Sequence, residues 1–181
     1  MLSWLSRASS RLHISTPATL KLWRVIGWSG DARTGMTAEE ARQIIRTWFP
    51  TLLFSSFEIT SPPTKRYNCI AWAAGEEHVW WWPGGRYWPD GVPKEESIEA
   101  FTRAYARLGY VPCETAEPEV NSEKVALYVG RDGRVLHAAR QLADGKWTSK
   151  LGEEWDIKHE LDGLEGIEYG RVARILKRHV R

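Results

Sequence analysis

The pairs Asp132-Gly133 and Asp144-Gly145 constrain this chain more than any other feature. An Asp-Gly step between two short apolar runs suits the left-handed backbone of a tight hairpin turn, and here two such steps separate three runs. The runs are Val125-Ala126-Leu127-Tyr128-Val129, Val135-Leu136-His137-Ala138-Ala139 and Lys146-Trp147-Thr148-Ser149-Lys150. They predict a three-stranded antiparallel meander. A two-residue first turn sets Tyr128 opposite His137, with Ala126 and Lys124 continuing along the same face. The apolar-basic segment Val172-Ala173-Arg174-Ile175-Leu176 is a further strand that closes the sheet.

Upstream, the periodicity is helical. Thr37-Ala38-Glu39-Glu40 reads as a capping box, and Ala41, Ile44, Ile45 and Trp48 recur on one helical face until Pro50 stops the helix after Phe49. Pro93 with Glu95 and Glu96 marks another helix start, with Ile98, Phe101, Tyr105 and Leu108 as its stripe and Gly109 as its end. Residues 51–65 are polar and proline-punctuated, which predicts an extended surface segment. Tyr110 to Glu114 is short and β-like. The combination of helices followed by a meander is an α+β pattern, with N-terminal helices packed on an antiparallel sheet.

The chain has 181 residues, enough for one well-buried domain, and residues 36–181 are assigned to it. Residues 1–35 form an N-terminal arm. Arg7, Arg11, Lys21 and Arg24, many serines and no acidic residue before Asp31 give it the composition of a transit peptide. A loosely ordered, disordered arm and an extension upstream of a start at Met36 fit equally simply, and the last is favoured. A net charge of +2 excludes the clustered basic face that phosphate-backbone binding needs, so nucleic acid is not an expected partner. No apolar run is long enough to cross a membrane, so a soluble protein is expected. With two cysteines, Cys69 and Cys113, a reducing compartment such as the bacterial cytoplasm fits, although one bridge between them stays open.

Two stretches carry candidate chemistry. In Tyr67-Asn68-Cys69-Ile70-Ala71-Trp72-Ala73, the cysteine heads a short apolar run, where the free N–H groups of a helix start favour a thiolate. The same spacing also describes the buried side of a core helix, and both readings stand at this stage. The other stretch is Trp80-Trp81-Trp82-Pro83-Gly84-Gly85-Arg86-Tyr87-Trp88, in a chain holding eleven tryptophans. Its prolines and glycines forbid a long regular element. Trp80, Trp81, Trp82 and Trp88 therefore either line a groove for a peptide or glycan or pack down as a structural lid, the latter being somewhat favoured. Asp156, His159, Asp162 and Glu165 read as a solvated face, and His78 and His159 as surface histidines. No zinc-binding spacing occurs, and neither a metal nor a cofactor is expected.

A helix-borne cysteine followed by an antiparallel meander with a histidine resembles the papain-like architecture, specifically the NlpC-type cysteine peptidases and amidases. The local similarity lies in Lys124-Val125-Ala126-Leu127-Tyr128-Val129-Gly130 and Arg134-Val135-Leu136-His137-Ala138. The stretch from Met36 to Arg178 is also similar to an uncharacterised family of bacterial domains. That similarity rests on the Tyr-x-Cys-x-Ala-Trp-Ala run, the tryptophan loop, His137-Ala138-Ala139-Arg140-Gln141 and Trp147-Thr148-Ser149-Lys150-Leu151-Gly152. NlpC-type enzymes carry the imidazole that pairs with the cysteine on the first strand, where this chain has Lys124, and His137 falls at the position of their orienting polar residue.

The resemblance implies acyl transfer on an amide or ester bond, with Cys69 as nucleophile and His137 as base. The Cys69 N–H, with Tyr67 or Asn68, would support the oxyanion. Ser149 and Asp156 are alternatives for orienting His137. The competing reading is a non-catalytic peptide- or glycan-binding or protein-interaction module on the same scaffold, and exposed indoles leave the oligomeric state open.

Overall fold

The computed structural model describes residues 35–180, so the reading of residues 1–35 as an arm lies almost wholly outside the described residues. Helix α1 spans Ala38–Trp48 and begins with the expected capping box: Thr37 Oγ1 accepts the Glu40 N–H at 3.2 Å, and the Thr37 N–H donates to Glu40 Oε2 at 2.7 Å. Thr37→Ala removes the hydroxyl that accepts the Glu40 N–H at the helix start and is expected to cost about 1 kcal/mol in a urea titration. An unchanged midpoint would show that the cap contributes nothing.

Two further helices are short. Helix α2 is Cys69–Ala73, with Asn68 capping it by accepting the Ala71 N–H. Helix α3 is Ile98–Ala106. It starts later than Pro93 suggests, because the Ser97 hydroxyl takes the Ala100 N–H and so sets the first turn. Glu96 is instead occupied by Trp82 and Arg134.

Seven strands form one sheet: β1 Glu58–Ser61, β2 Val111–Cys113, β3 Ser122–Val129, β4 Val135–Gln141, β5 Trp147–Lys150, β6 Asp156–His159 and β7 Arg171–His179. Their order is β1-β6-β5-β4-β3-β7-β2, and every pairing is antiparallel. The class is α+β. The meander β3-β4-β5 is present, and Tyr128 does pair with His137. The register slips by one residue between that pair and Val129–Val135, leaving Leu136 as a bulge. Two expectations need correction. Residues 51–65 are not merely extended: Pro50–Leu53 is a 3-10 turn, and β1 pairs with β6 at the sheet edge. Strand β7 does not close the sheet at an edge but lies inside it, between β3 and β2.

The sheet separates two apolar cores. On one face α2 and α3 pack against Val125, Leu127, Val135, Ala138 and Leu176. On the other, α1 packs against Ala126, Tyr128, Ala139, Trp147 and Ile157. Because side chains alternate along a strand, neighbouring residues of β4 serve different cores. This alternation decides the geometry of the candidate site.

Candidate functional site

Cys69 is the first residue of α2, as its place after the capping Asn68 dictates. Its side chain belongs to the core shared by α2 and α3, and only 6% of the residue is exposed. Burial pushes the thiol up to about 11; hydrogen bonds from the Ala138, Ile70 and Cys69 backbone and the charge of Lys150 pull the other way without overcoming it. The contact with Ala138 arises where β4 and β5 pair only at Arg140–Thr148 and Gln141–Trp147. Beyond that point the ladder is open, and the start of α2 meets β4.

His137 is fully buried on the other face. Its strand partner Tyr128 lies in the α1 core, whereas Ala138 and its partner Leu127 lie in the core beneath α2. The Tyr169 ring stacks on the imidazole at 4.0 Å and 6° and also packs against Phe49. Cys69 and His137 thus share no hydrogen bond, and the structure does not bring the two side chains together: the thiol meets the backbone of the next residue. His137 Nε2 lies 2.9 Å from Ser149 Oγ, and Ser149 Oγ lies 2.8 Å from His159 Nε2. His159 Nδ1 is 2.5 Å from the Glu160 carbonyl. His137 Nδ1 is buried and has no partner. Burial holds His137 well below the usual histidine range, helped by the charge of His159, and lowers His159 to about 4.

On the face of Cys69 a second polar group is buried. Lys150 pairs across the strands with Asp156, and both are nearly inaccessible. Asp156 Oδ2 accepts hydrogen bonds from Tyr67 at 2.7 Å and Ser61 at 2.6 Å. Lys150 Nζ donates to the Glu154 carbonyl and sits 5.5 Å from the Tyr67 ring centre. Desolvation brings its ammonium down to about 8.

The other expected site residues are occupied structurally. Tyr67 is committed to Asp156, and Asn68 holds Trp81 through both its backbone groups, donating to the carbonyl at 2.8 Å and accepting the N–H at 3.2 Å. Trp81 and Trp88 are buried; Trp82 and Trp88 meet the Phe101 ring edge-on at 5.5 and 5.0 Å. Trp80 is half-buried and bonds the Lys65 carbonyl. The tryptophan loop is therefore packed down rather than arranged as an open groove. Lys124 points away from Cys69: its buried ammonium bonds the Thr115 and Glu117 carbonyls and the Glu119 carboxylate. Both cysteines are free thiols.

Asp156 and His159 are not on a solvated face: they are 2% and 1% exposed, whereas His78 is exposed as expected. The signal for His159 was present in its spacing from Ile157, since strand alternation puts both on one apolar face. Tyr169, which carries no periodic neighbours, offered no such signal. Among the described residues, no helix is long and apolar enough to cross a membrane, and no group of three or more His, Cys, Asp or Glu side chains is placed to hold a metal ion.

Fold and site together define an α+β protein whose sheet lies between a buried helix-terminal thiol and a histidine–serine–histidine chain. Residues 58–177 match the model of a domain of unknown function, DUF7689, and the chain belongs to that family. Searches of curated proteins and of solved structures each returned no match.

Proposed function

We propose that the protein is a cysteine-dependent hydrolase or acyltransferase acting on an amide or ester bond, on a papain-like, NlpC-type variant of the α+β fold. Cys69 is the nucleophile, His137 the base and Ser149 its orienting group. One observation carries the reading: His137 Nδ1 is a buried ring nitrogen without a partner, while Nε2 of the same ring is held by Ser149. A histidine gripped at one nitrogen and bare at the other is poised to take a proton. Two features tie it to Cys69. Ala138, next to His137 in the chain, hydrogen-bonds the cysteine, and Tyr169, stacked on His137, is close enough to Cys69 that a charge there, after burial, raises its own pKa.

In the working step the thiol proton passes to His137 Nδ1 as sulfur attacks the carbonyl carbon. Backbone N–H groups at the start of α2 meet the developing oxyanion, and the same proton then goes to the leaving amine or alcohol. Water or a second nucleophile releases the acyl group from Cys69. Peptide, amide and glycan-containing compounds are the substrate classes that suit this chemistry. The resting arrangement is closed, so turnover requires the Trp80–Trp82 segment to leave Asn68 and the thiol to reach His137 through the gap beyond Arg140–Thr148, where β4 and β5 are not paired. Two free thiols suit a reducing setting such as the bacterial cytoplasm.

A second reading, a non-catalytic binding or interaction module, is favoured by the 6% exposure of Cys69 and by a thiol that burial keeps protonated. Alkylation by iodoacetamide between about pH 5 and 9, followed residue by residue, separates the two. For the enzyme, Cys69 reacts at a lower pH than the half-buried Cys113, and His137→Ala abolishes that low-pH reactivity. A Cys69 that stays inert across the range sinks the enzymatic reading and leaves the module.

A further inference from the structure

We infer that His137, Ser149 and His159 form a reversible proton relay, in which a proton taken up by His137 is stored on His159. The direction of the chain follows from its far end. The Glu160 carbonyl can only accept, so His159 Nδ1 carries a hydrogen and, in the neutral ring, Nε2 is bare. The Ser149 hydroxyl must then donate to His159 Nε2, which leaves its oxygen to accept from His137 Nε2. His137 Nδ1 is consequently a lone pair, and among the described residues it is the one buried imidazole nitrogen with no partner. Every hydrogen in the relay has one place to be.

A proton arriving at His137 Nδ1 need not stay there. The Nε2 hydrogen moves to Ser149 Oγ as the serine hydrogen moves to His159 Nε2, so His137 and Ser149 each take one proton and give one, and His159 gains one. His137 ends neutral with its hydrogen on Nδ1, His159 ends as an imidazolium, and the hydrogen bonds of the chain have reversed direction. The surroundings favour the charge at the far end. His137 faces Tyr128 and Tyr169, with no carboxylate against it, and beyond burial a charge on His159 disfavours one on His137. His159 has the Glu160 carbonyl bond and the charges of Glu160 and Asp162, all of which favour its protonated form. Ser149 and His159 are thus positioning residues that act through His137. Where the incoming proton originates rests on the assignment of Cys69 and His137 above; the relay itself does not.

Two-bond proton–nitrogen correlation spectra of the full chain, labelled with nitrogen-15 at histidine, read the hydrogen on each ring nitrogen. At pH 7 His137 is expected to carry hydrogen on Nε2 alone and His159 on Nδ1 alone. Between pH 6 and 4 the fraction of His159 that gains a second hydrogen should be matched by an equal fraction of His137 whose hydrogen has moved from Nε2 to Nδ1. Ser149→Thr keeps the hydroxyl and should keep the coupling, whereas Ser149→Ala should abolish it. Hydrogen on His137 Nδ1 at pH 7, titration of His159 without change at His137, or coupling that survives Ser149→Ala would each overturn the relay. If the alanine variant does not fold, the wild-type titration still decides. An inert Cys69 with coupled histidines would remove the acyl-transfer reading alone, and a reactive, His137-dependent Cys69 with uncoupled histidines would remove the relay alone.

Discussion

Lowering the pH from 7 to 5 is expected to remove folding stability through His137 and His159, about 2 kcal/mol of it through His159 alone. Both are buried and neutral, and burial holds both below the unfolded value near 6.5. Below that value the unfolded chain takes up two protons that the folded chain does not. Stability is therefore complete above pH 6.5 and falls on acidification, until each folded-state pKa is reached, about 4 for His159. His159 contributes about 1.4 kcal/mol per pH unit, so about 1.5 units give about 2 kcal/mol, and His137 adds to it in the same direction. Glu154 and Glu168, raised by burial, oppose this, because the folded state protonates them more readily than the unfolded one. Urea titrations at pH 7, 6 and 5 test the expectation. His159→Gln, which keeps a hydrogen-bonding side chain without the charge, should reduce the slope and lose about 2 kcal/mol of the change. A stability that is flat between pH 6.5 and 5 would mean that the two rings are not sequestered from water in solution.

Gly170→Ala is expected to be the most damaging small substitution, costing at least about 4 kcal/mol. Gly170 has φ +76°, and a Cβ there would lie 1.8 Å from the Val129 carbonyl oxygen and 2.4 Å from its carbon. Both are backbone atoms of β3 and cannot swing aside. The adjoining chain is equally fixed, since Gly166 and Gly170 exchange two backbone hydrogen bonds of 2.8 Å. Relief of the clash must move Tyr169, and with it the ring stacked on His137. Gly84→Ala is the control, with φ +74° and nothing within 4 Å of its added Cβ. It should lose only the cost of a left-handed alanine, about 1–2 kcal/mol. Thermal unfolding of the two variants side by side reads the difference, and equal losses would show that the close approach at Val129 is not kept in solution.

The sequence by itself determined the parts whose causes are local. A Thr37 hydroxyl three residues before Glu40 makes a helix start in any context, and an Asp-Gly step between apolar runs makes a turn. The Tyr128–His137 pairing is the expected one, but it is reached through a three-residue Arg131–Gly133 turn whose offset the bulge at Leu136 cancels. Asn68 before Cys69 likewise told where a helix begins. Tertiary structure decided what those residues do. Whether Cys69 and His137 meet depends on which face of the sheet α2 packs against, a fact carried by contacts between segments some seventy residues apart. The same holds for the partners of His137. Ser149 and His159 reach it only because β5 and β6 lie beside β4 in that order, and Tyr169 reaches it only through the Gly166–Gly170 turn. Charged and polar residues gave the most misleading local signal. Asp156 and His159 look solvated one at a time, yet each is buried against a partner from another segment, Tyr67 and Ser61 for Asp156 and Ser149 for His159. A residue's own chemistry sets the cost of burying it, and only the assembled fold supplies the group that offsets that cost.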